Sequence, residues 1–170
     1  LKLATNVDGN IYGIPNYLQS ASDEMRYRIW INTVWLERLG LEMPTTTEEF
    51  YNVLKAFKEQ DANGNGDPTD EIPMLGNTAG WSTDQRMFLT NAFVYEDGGY
   101  GYLLDAEGNV SFNYTTDAYK EALSYMNKLV SEGLLSTDSF TLTYPQYQEV
   151  LNRQPSVVGV FCFTNPIAQA

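Results

Sequence analysis

Histidine is absent from the 170 residues and cysteine occurs once. Without imidazole there is no Ser-His or Cys-His nucleophile pair, no histidine general base and no His-containing zinc site. The single thiol, Cys162, lies in the apolar run Val157-Val-Gly-Val-Phe-Cys-Phe163, where a free cysteine reads as a small buried apolar group before it reads as a nucleophile. Basic residues are scarce too. Ten Lys and Arg against 22 Asp and Glu leave a formal charge of -12, which argues against a nucleic-acid backbone or an anionic membrane surface as partner. No apolar run approaches the ~20 residues that cross a bilayer, no repeat or low-complexity segment occurs, and no signal peptide is visible. Nor is there an initiator Met: the chain opens on Leu1 and stops at Pro166-Ile-Ala-Gln-Ala170, directly after a strand-like run. It therefore reads as a piece of something longer, and the missing leader decides nothing about export.

What is present suits one ordinary domain, with 43% apolar and 14% aromatic residues, enough for a real core. Twelve of the aromatics are tyrosines, whose flat apolar body and hydrogen-bonding tip serve both packing and contact with sugars. The acidity suits calcium. Asp61-Ala-Asn-Gly-Asn-Gly-Asp-Pro-Thr-Asp-Glu71 sets oxygen-bearing side chains at every second position around two glycines. Ca2+ is a hard cation that takes about six to eight oxygens, and the helix-loop calcium motif supplies them from alternate residues with glycine at the sixth place. Asp61, Asn63 and Asn65 fill the first, third and fifth places, Gly66 the sixth, and Asp67 the seventh, where a backbone carbonyl serves. Ile72 stands where a bidentate Glu is usual, so Asp70 and Glu71 are expected to close the shell early. The expected ligands of a structural Ca2+ are thus Asp61, Asn63, Asn65, the Asp67 carbonyl, Asp70 and Glu71. The other reading of the same residues is an Asn/Gly-rich turn whose side chains bond their own backbone.

In chain order, Asp8-Gly-Asn10 signals a turn, Ile11 to Pro15 a short β-prone run, and Tyr27 to Ile31 a half-buried strand. A helix around Thr33 to Leu39 closes at Gly40. Thr46 and Glu49 form a capping box for a helix with the apolar stripe Phe50, Val53, Leu54 and Phe57, which runs into the acidic loop. Pro73 excludes a second ordinary helix beyond it, so Ile72 to Leu75 is expected as a strand. A loop over 76–82 carries Trp81 and leads to a helix over about 83–94 with Met87, Phe88 and Ala92 inward. Asp105-Ala-Glu-Gly108 turns a small hairpin. A long helix follows, capped by Thr116 and ended by Gly133, with Tyr119, Ala122, Leu123, Met126, Leu129 and Val130 as its stripe. A short helix over 144–152 and a buried strand over 156–163 complete the described order. Trp30 and Trp35 are expected in the core.

Several of these segments, in this order, resemble the family 1 extracellular solute-binding proteins of bacterial ATP-driven importers: Arg28 to Leu41, Pro44 to Phe50, Leu54 to Phe57, Asp61 to Pro73, Thr116 to Leu123 and Leu129 to Leu135. The nearest branch is similar to the lipoprotein-anchored oligosaccharide binders of Gram-positive bacteria, several of which carry such a calcium loop. The resemblance implies an α/β fold, one lobe of a periplasmic-binding-protein-like type II pair, with helices packed on a small mixed sheet and an EF-hand-like loop. It assigns residues 1–17 to a hinge crossing and 18–170 to the second lobe, truncated at both ends. It further implies capture of an oligosaccharide or other small solute by cleft closure and delivery to a membrane permease. The compartment would be the cell surface, held by a lipid anchor outside this stretch, or the periplasm. By position in the family, Trp81 matches a sugar platform and Phe163 with Thr164 and Asn165 a second cleft loop, with Asn16 and Tyr17 just past the hinge. Trp81 and Phe163 have core packing as the alternative. Asn32-Thr-Val34 departs from the charged residues of many relatives, and no role is transferred there.

Two other functions fit the composition less well. A glycoside hydrolase needs a carboxylate pair at about 5–10 Å, and nothing in the sequence selects one. A calcium-dependent protein-interaction module of the cohesin-partner kind uses a duplicated loop, and one copy is found.

Overall fold

The computed structural model describes residues 4–13, 27–80, 82–96 and 100–163. Strand β1 (Ile29–Ile31) leads into helix α1 (Thr33–Leu39) and then α2 (Thr47–Glu59), and the loop that follows enters β2 (Ile72–Leu75). Helix α3 (Gln85–Thr90), the ribbon β3 (Tyr102–Leu104) and β4 (Val110–Phe112), helix α4 (Asp117–Ser131), helix α5 (Tyr144–Leu151) and strand β5 (Val158–Cys162) complete the order. The last strand takes the centre of a three-stranded mixed sheet in the order β1-β5-β2, antiparallel to β1 with Trp30 opposite Phe161, and parallel to β2 with Met74 opposite Val160. All five β5 residues are buried. That explains its unbroken apolar run, since a strand covered on both faces has no polar side to alternate with.

Two cores flank the sheet. The larger joins Trp35 and Leu36 of α1, Val53, Leu54 and Phe57 of α2, Met126 and Leu129 of α4, and Met74 and Val160 of the sheet. The smaller joins Tyr147, Val150 and Leu151 of α5 to Leu75, Val158 and Phe161. Inside the larger core Trp35 meets Phe57 edge-on at 5.2 Å. Gly159 lies so close that a Cβ there would overlap the Phe57 ring and stand 2.8 Å from Trp35 Cζ3. The small mixed sheet with helices packed on it is the α/β arrangement expected.

The helix signals hold where the caps are strong. Asn32 accepts from the Val34 and Trp35 N–H groups at the start of α1, and Gly40 ends it with φ 65°. Thr46 and Glu49 form the reciprocal box: the Glu49 N–H donates to Thr46 Oγ1 at 3.1 Å, while Glu49 Oε2 accepts from the N–H groups of Thr45 and Thr46 at 2.7 and 3.2 Å. Those bonds, from Thr45 first, hold the Glu49 carboxyl below its ordinary value of 4.5. A depressed value in the folded state adds stability above the unfolded value and loses it as pH falls through the folded one. Glu49→Gln should therefore lower the urea midpoint at neutral pH, and the gap to the natural chain should close as the pH is taken below 4.5; a gap independent of pH would deny the carboxylate this role.

Elsewhere the sequence expectations need correcting. The helix over 83–94 is shorter, Gln85–Thr90, because Asp84 caps it from Arg86 N at 2.9 Å. At its far end the Thr90 hydroxyl and the Asn91 amide turn back onto the Arg86 and Met87 carbonyls at 2.6 Å each. Polar side chains that bond the preceding turn compete with helix continuation. Leu89 is its buried apolar residue, Met87 and Phe88 are half-buried, and Ala92 is exposed. On α4 the stripe is narrower than expected, and Leu123 is 46% exposed. Trp35 is core, but Trp30 is only half-buried. Of the run Ile11 to Pro15, Ile11 bridges Thr5, and residues 14 and 15 lie outside the described residues.

Candidate ligand-binding wall and metal loop

Because β2 and β5 run parallel, their carboxyl ends open on the same side, which is where open α/β sheets bind ligands. Three loops meet there: the one after β2, the start of α5, and the exit of β5. Phe163 stacks on Tyr144, the first residue of α5, with ring centroids 6.3 Å apart and planes 10° apart. Trp30 donates its indole N–H to the Phe163 carbonyl at 2.8 Å. All three aromatics are half-buried and pack against the smaller core, and the stacked Tyr144–Phe163 pair offers the kind of surface on which a sugar ring can stack.

The loop after β2 is held fast by its own polar side chains. Asn77 N–H donates to the Thr83 carbonyl at 2.9 Å and the Thr83 hydroxyl returns to the Asn77 carbonyl at 2.7 Å. The Asn77 amide reaches the Leu142 carbonyl at 2.8 Å, and Ser139 Oγ accepts from Gly76 N at 3.0 Å. Gly80 is pressed against Tyr144, whose Cδ2 would stand 2.5 Å from a Cβ. A loop tied at both ends in this way keeps its shape before a ligand arrives, which lowers the ordering cost of binding. Ser82 carries the strain of the turn, at φ 58° without being glycine. Its hydroxyl and both amide atoms of the fully buried Gln85 lack hydrogen-bond partners. Unpaired buried polar atoms cost about 1–3 kcal/mol each.

Next to this loop Arg86 forks onto Asp84, with Nε 3.0 Å from each carboxylate oxygen. Asp84 also bears on Cys162, whose thiol is pushed up by burial first and by that carboxylate second. The thiol is therefore inert, as the apolar run suggests.

Of the expected cleft residues, Phe163 stands at this wall. Trp81, Asn165, Asn16 and Tyr17 lie outside the described residues. Sequence reasoning passed over Tyr144 and placed Trp30 in the core. The available signal for Tyr144 was its place directly after the cap Thr143, at the mouth of the helix that feeds the last strand.

The loop over 61–71 is folded around its acids. Asp61 accepts three N–H groups, from Gly64, Asn65 and Gly66, at 2.7–3.1 Å. The amides of Asn63 and Asn65 each donate to one oxygen of Asp70 at 2.8 Å, and Glu71 Oε1 accepts from Asn63 N at 3.3 Å. Gly64 and Gly66 take the left-handed conformation the turn needs, at φ 74° and 92°. Arg38 of α1 clasps the loop by donating to the Ala62 carbonyl at 2.6 Å. Among the described residues no three His, Cys, Asp or Glu side chains form a metal-binding group by themselves. Two of the six expected ligands here are asparagines, however, and the donors are all oxygens, as a hard cation requires. Among the described residues Glu71 Oε2 is buried without a hydrogen-bond partner, which is the orphaned acceptor that a cation would satisfy. The Asn63 and Asn65 amides meet Asp70 through their N–H groups and would turn their oxygens inward to hold the ion, so the fit rests on the Glu71 oxygen and the all-oxygen donor set.

Similarity to known proteins bears on both features. No family model matches the chain. It is 35% identical over 151 residues to the fructooligosaccharide ABC transporter substrate-binding protein FusA of Streptococcus pneumoniae, a match covering 85% of this chain and 28% of FusA. FusA in complex with kestose superposes with a TM-score of 0.82 at 32% identity, covering 98% of this chain and 34% of that one. The chain is thus similar to a stretch of ABC transporter substrate-binding proteins. It is also 36% identical over 141 residues to lipoprotein LipO of Bacillus subtilis, covering 79% of this chain and 25% of LipO. A solute-binding protein of Bifidobacterium longum infantis described as binding HMO matches with a TM-score of 0.77 at 31% identity, covering 99% of this chain and 36% of that one. The chain thus spans about a quarter to a third of the length of these relatives. An EF-hand mutant of FusA has also been solved, so a relative carries a loop of that kind. The relatives are substrate-binding proteins and not enzymes, which leaves the hydrolase alternative without support. Among the described residues no helix is long and apolar enough to cross a membrane.

Proposed function

We propose that this chain supplies one wall of a carbohydrate-binding cleft in the substrate-binding protein of an ABC importer. Residues 18–170 would form the second lobe and residues 1–17 the hinge crossing, and a permease would receive the solute outside the cell. Phe163, Tyr144 and Trp30 would stack against the sugar, together with the sequence-derived candidates Trp81, Asn165, Asn16 and Tyr17. What supports this most is the aromatic wall at the carboxyl ends of two parallel strands, in a fold matching a FusA–kestose complex over 98% of the chain. Closure would follow if the ligand gains contacts only in the closed state, so that affinity and motion are one free energy.

Calcium belongs to the same proposal as a structural ion held by Asp61, Asn63, Asn65, the Asp67 carbonyl, Asp70 and Glu71. The orphaned Glu71 oxygen supports it. Beyond the loop lies a Pro-containing strand instead of a helix, so there is no helix pair to open and the ion stabilises without switching.

Calorimetry on the natural protein carrying this sequence, against a panel of neutral and acidic glycans, tests the assignment. Binding to at least one sugar class is expected, with Phe163→Ala lowering that affinity about tenfold through the lost stacking. No ligand in any sugar class would overturn it.

A further inference from the structure

The loop over 61–71 carries four carboxylates, Asp61, Asp67, Asp70 and Glu71, and no basic residue. Inside the loop their hydrogen-bond partners are uncharged. Backbone N–H groups serve Asp61, the Thr69 N–H and hydroxyl serve Asp67 at 3.0 and 2.6 Å, and the two asparagine amides serve Asp70. Such bonds orient the acids, but four like charges within eleven residues still repel one another.

The cation that reaches this loop comes from another element. Arg38, in the last turn of α1, donates from Nη1 to the Ala62 carbonyl at 2.6 Å. Its guanidinium also lies across the Gly64 backbone, where a Cβ would stand 2.6 Å from Cζ and 2.8 Å from Nη1. Glycine at 64 thus admits the guanidinium as well as the turn. Arg38 forms no ion pair with a single carboxylate among the described residues, so its charge acts on the loop as a whole.

We propose that Arg38 sets the affinity of the loop for calcium, by stabilising the ion-free loop more than the filled one. This rests on the calcium reading above. Two effects of opposite sign meet at this residue. As a clasp, Arg38 would hold the loop in shape and tighten binding; as a cation, it offsets the repulsion most when no ion is bound, and so weakens binding. The structure favours the second. The start of the loop is fixed without Arg38, because Asp61 accepts three N–H groups and Ala62 is fully buried in the larger core. Losing one more bond from an exposed side chain leaves that geometry in place. Losing the charge does not. Four negative charges less the two of the ion leave two, so the guanidinium has half as much to offset once calcium is bound. By linkage, a group that favours the ion-free loop weakens the ion by the same factor. Arg38 therefore keeps the loop folded when calcium is scarce, and Arg38 and the ion oppose each other.

The test is titration of calcium chloride into the natural protein carrying this sequence, followed by calorimetry, with Arg38→Met and Arg38→Lys beside it. Arg38→Met should bind calcium about fivefold tighter, the low end for two coupled sites because the guanidinium is exposed. Its Tm should fall further in chelator than in saturating calcium. Arg38→Lys keeps the charge and should stay within about twofold of the natural protein. The gap between the natural protein and Arg38→Met should close between about 0.1 M and 1 M potassium chloride, as the screening length falls from about 10 to about 3 Å. A role in shape alone would not respond to salt in this way. Unchanged or weaker calcium binding by Arg38→Met overturns the inference, as does a gap that salt leaves untouched or an Arg38→Lys that binds as tightly as Arg38→Met. An Arg38→Met chain unfolded in calcium and chelator alike overturns it too. All of these leave the calcium site standing, whereas a natural protein that takes up no calcium overturns the calcium reading beneath.

Discussion

Replacing Phe57 by alanine should cost about 3–5 kcal/mol and lower the Tm on the order of 10 °C. The ring is fully buried, edge-on to Trp35, and fills the space that a side chain at position 159 would need. Its removal leaves a cavity between two helices and the central strand that neighbouring groups cannot close without moving the sheet. The same crowding makes Gly159→Ala unfavourable by about 1–3 kcal/mol, since the new methyl group would displace Phe57 or Trp35. The two changes share one volume. Phe57→Leu combined with Gly159→Ala should therefore cost less than the sum of the single variants, by about 0.5–3 kcal/mol. Urea unfolding of the four chains measures the coupling, and strictly additive costs would show that the two positions do not compete for space.

The second large effect concerns the loop over 61–71. Calcium at a hundredfold excess over its Kd should stabilise the chelator-treated protein by about 2.7 kcal/mol, a rise in Tm of roughly 5–10 °C. Asp61→Ala is a poor probe, because Asp61 also accepts three N–H groups and its loss damages the loop without any ion. Asp70→Asn is the better one. It keeps the shape of the side chain, costs one of its two amide hydrogen bonds instead of three backbone ones, removes the charge where Asn63 and Asn65 meet it, and should abolish most of the calcium-dependent rise; a calcium-free baseline of the variant separates the lost bond from the lost ion. Sugar binding by the natural protein should survive chelation. A Tm indifferent to calcium would return the loop to the Asn/Gly-rich turn, and the orphaned Glu71 oxygen would then be a cost carried for no ion.

The parts of the fold legible in the sequence are those set by neighbours along the chain. The Thr46–Glu49 box, the stripe of α2, the left-handed Gly40 and Gly133, and the turn at Gly108 each follow from a few adjacent residues. Helix α3 was overrun because its limits come from side chains choosing between two backbone partners, as Asp84, Thr90 and Asn91 do. An apolar pattern does not encode that competition. The aromatic wall shows the same division. Phe163 was singled out by its position in the family resemblance, whereas the stacking of Tyr144 and the bond from Trp30 depend on strand order and on where α5 begins, which exist only after the sheet has assembled. The acidic loop stood out because its oxygen-bearing residues are contiguous.

The place of β5 has a consequence for how the chain is made. It is the middle strand of the three-stranded sheet and follows both its partners in the chain, and the bond from Trp30 to Phe163 joins residues 133 positions apart. At a synthesis rate of about 5–20 residues per second, β1 waits on the order of ten seconds for the strand it pairs with. During that time β2 also lacks its neighbour, and the apolar side chains of α1 and α2 have no finished sheet to cover. The nascent chain is thus prone to aggregate until β5 has been made, and a factor that shields it on the ribosome would matter most up to that point.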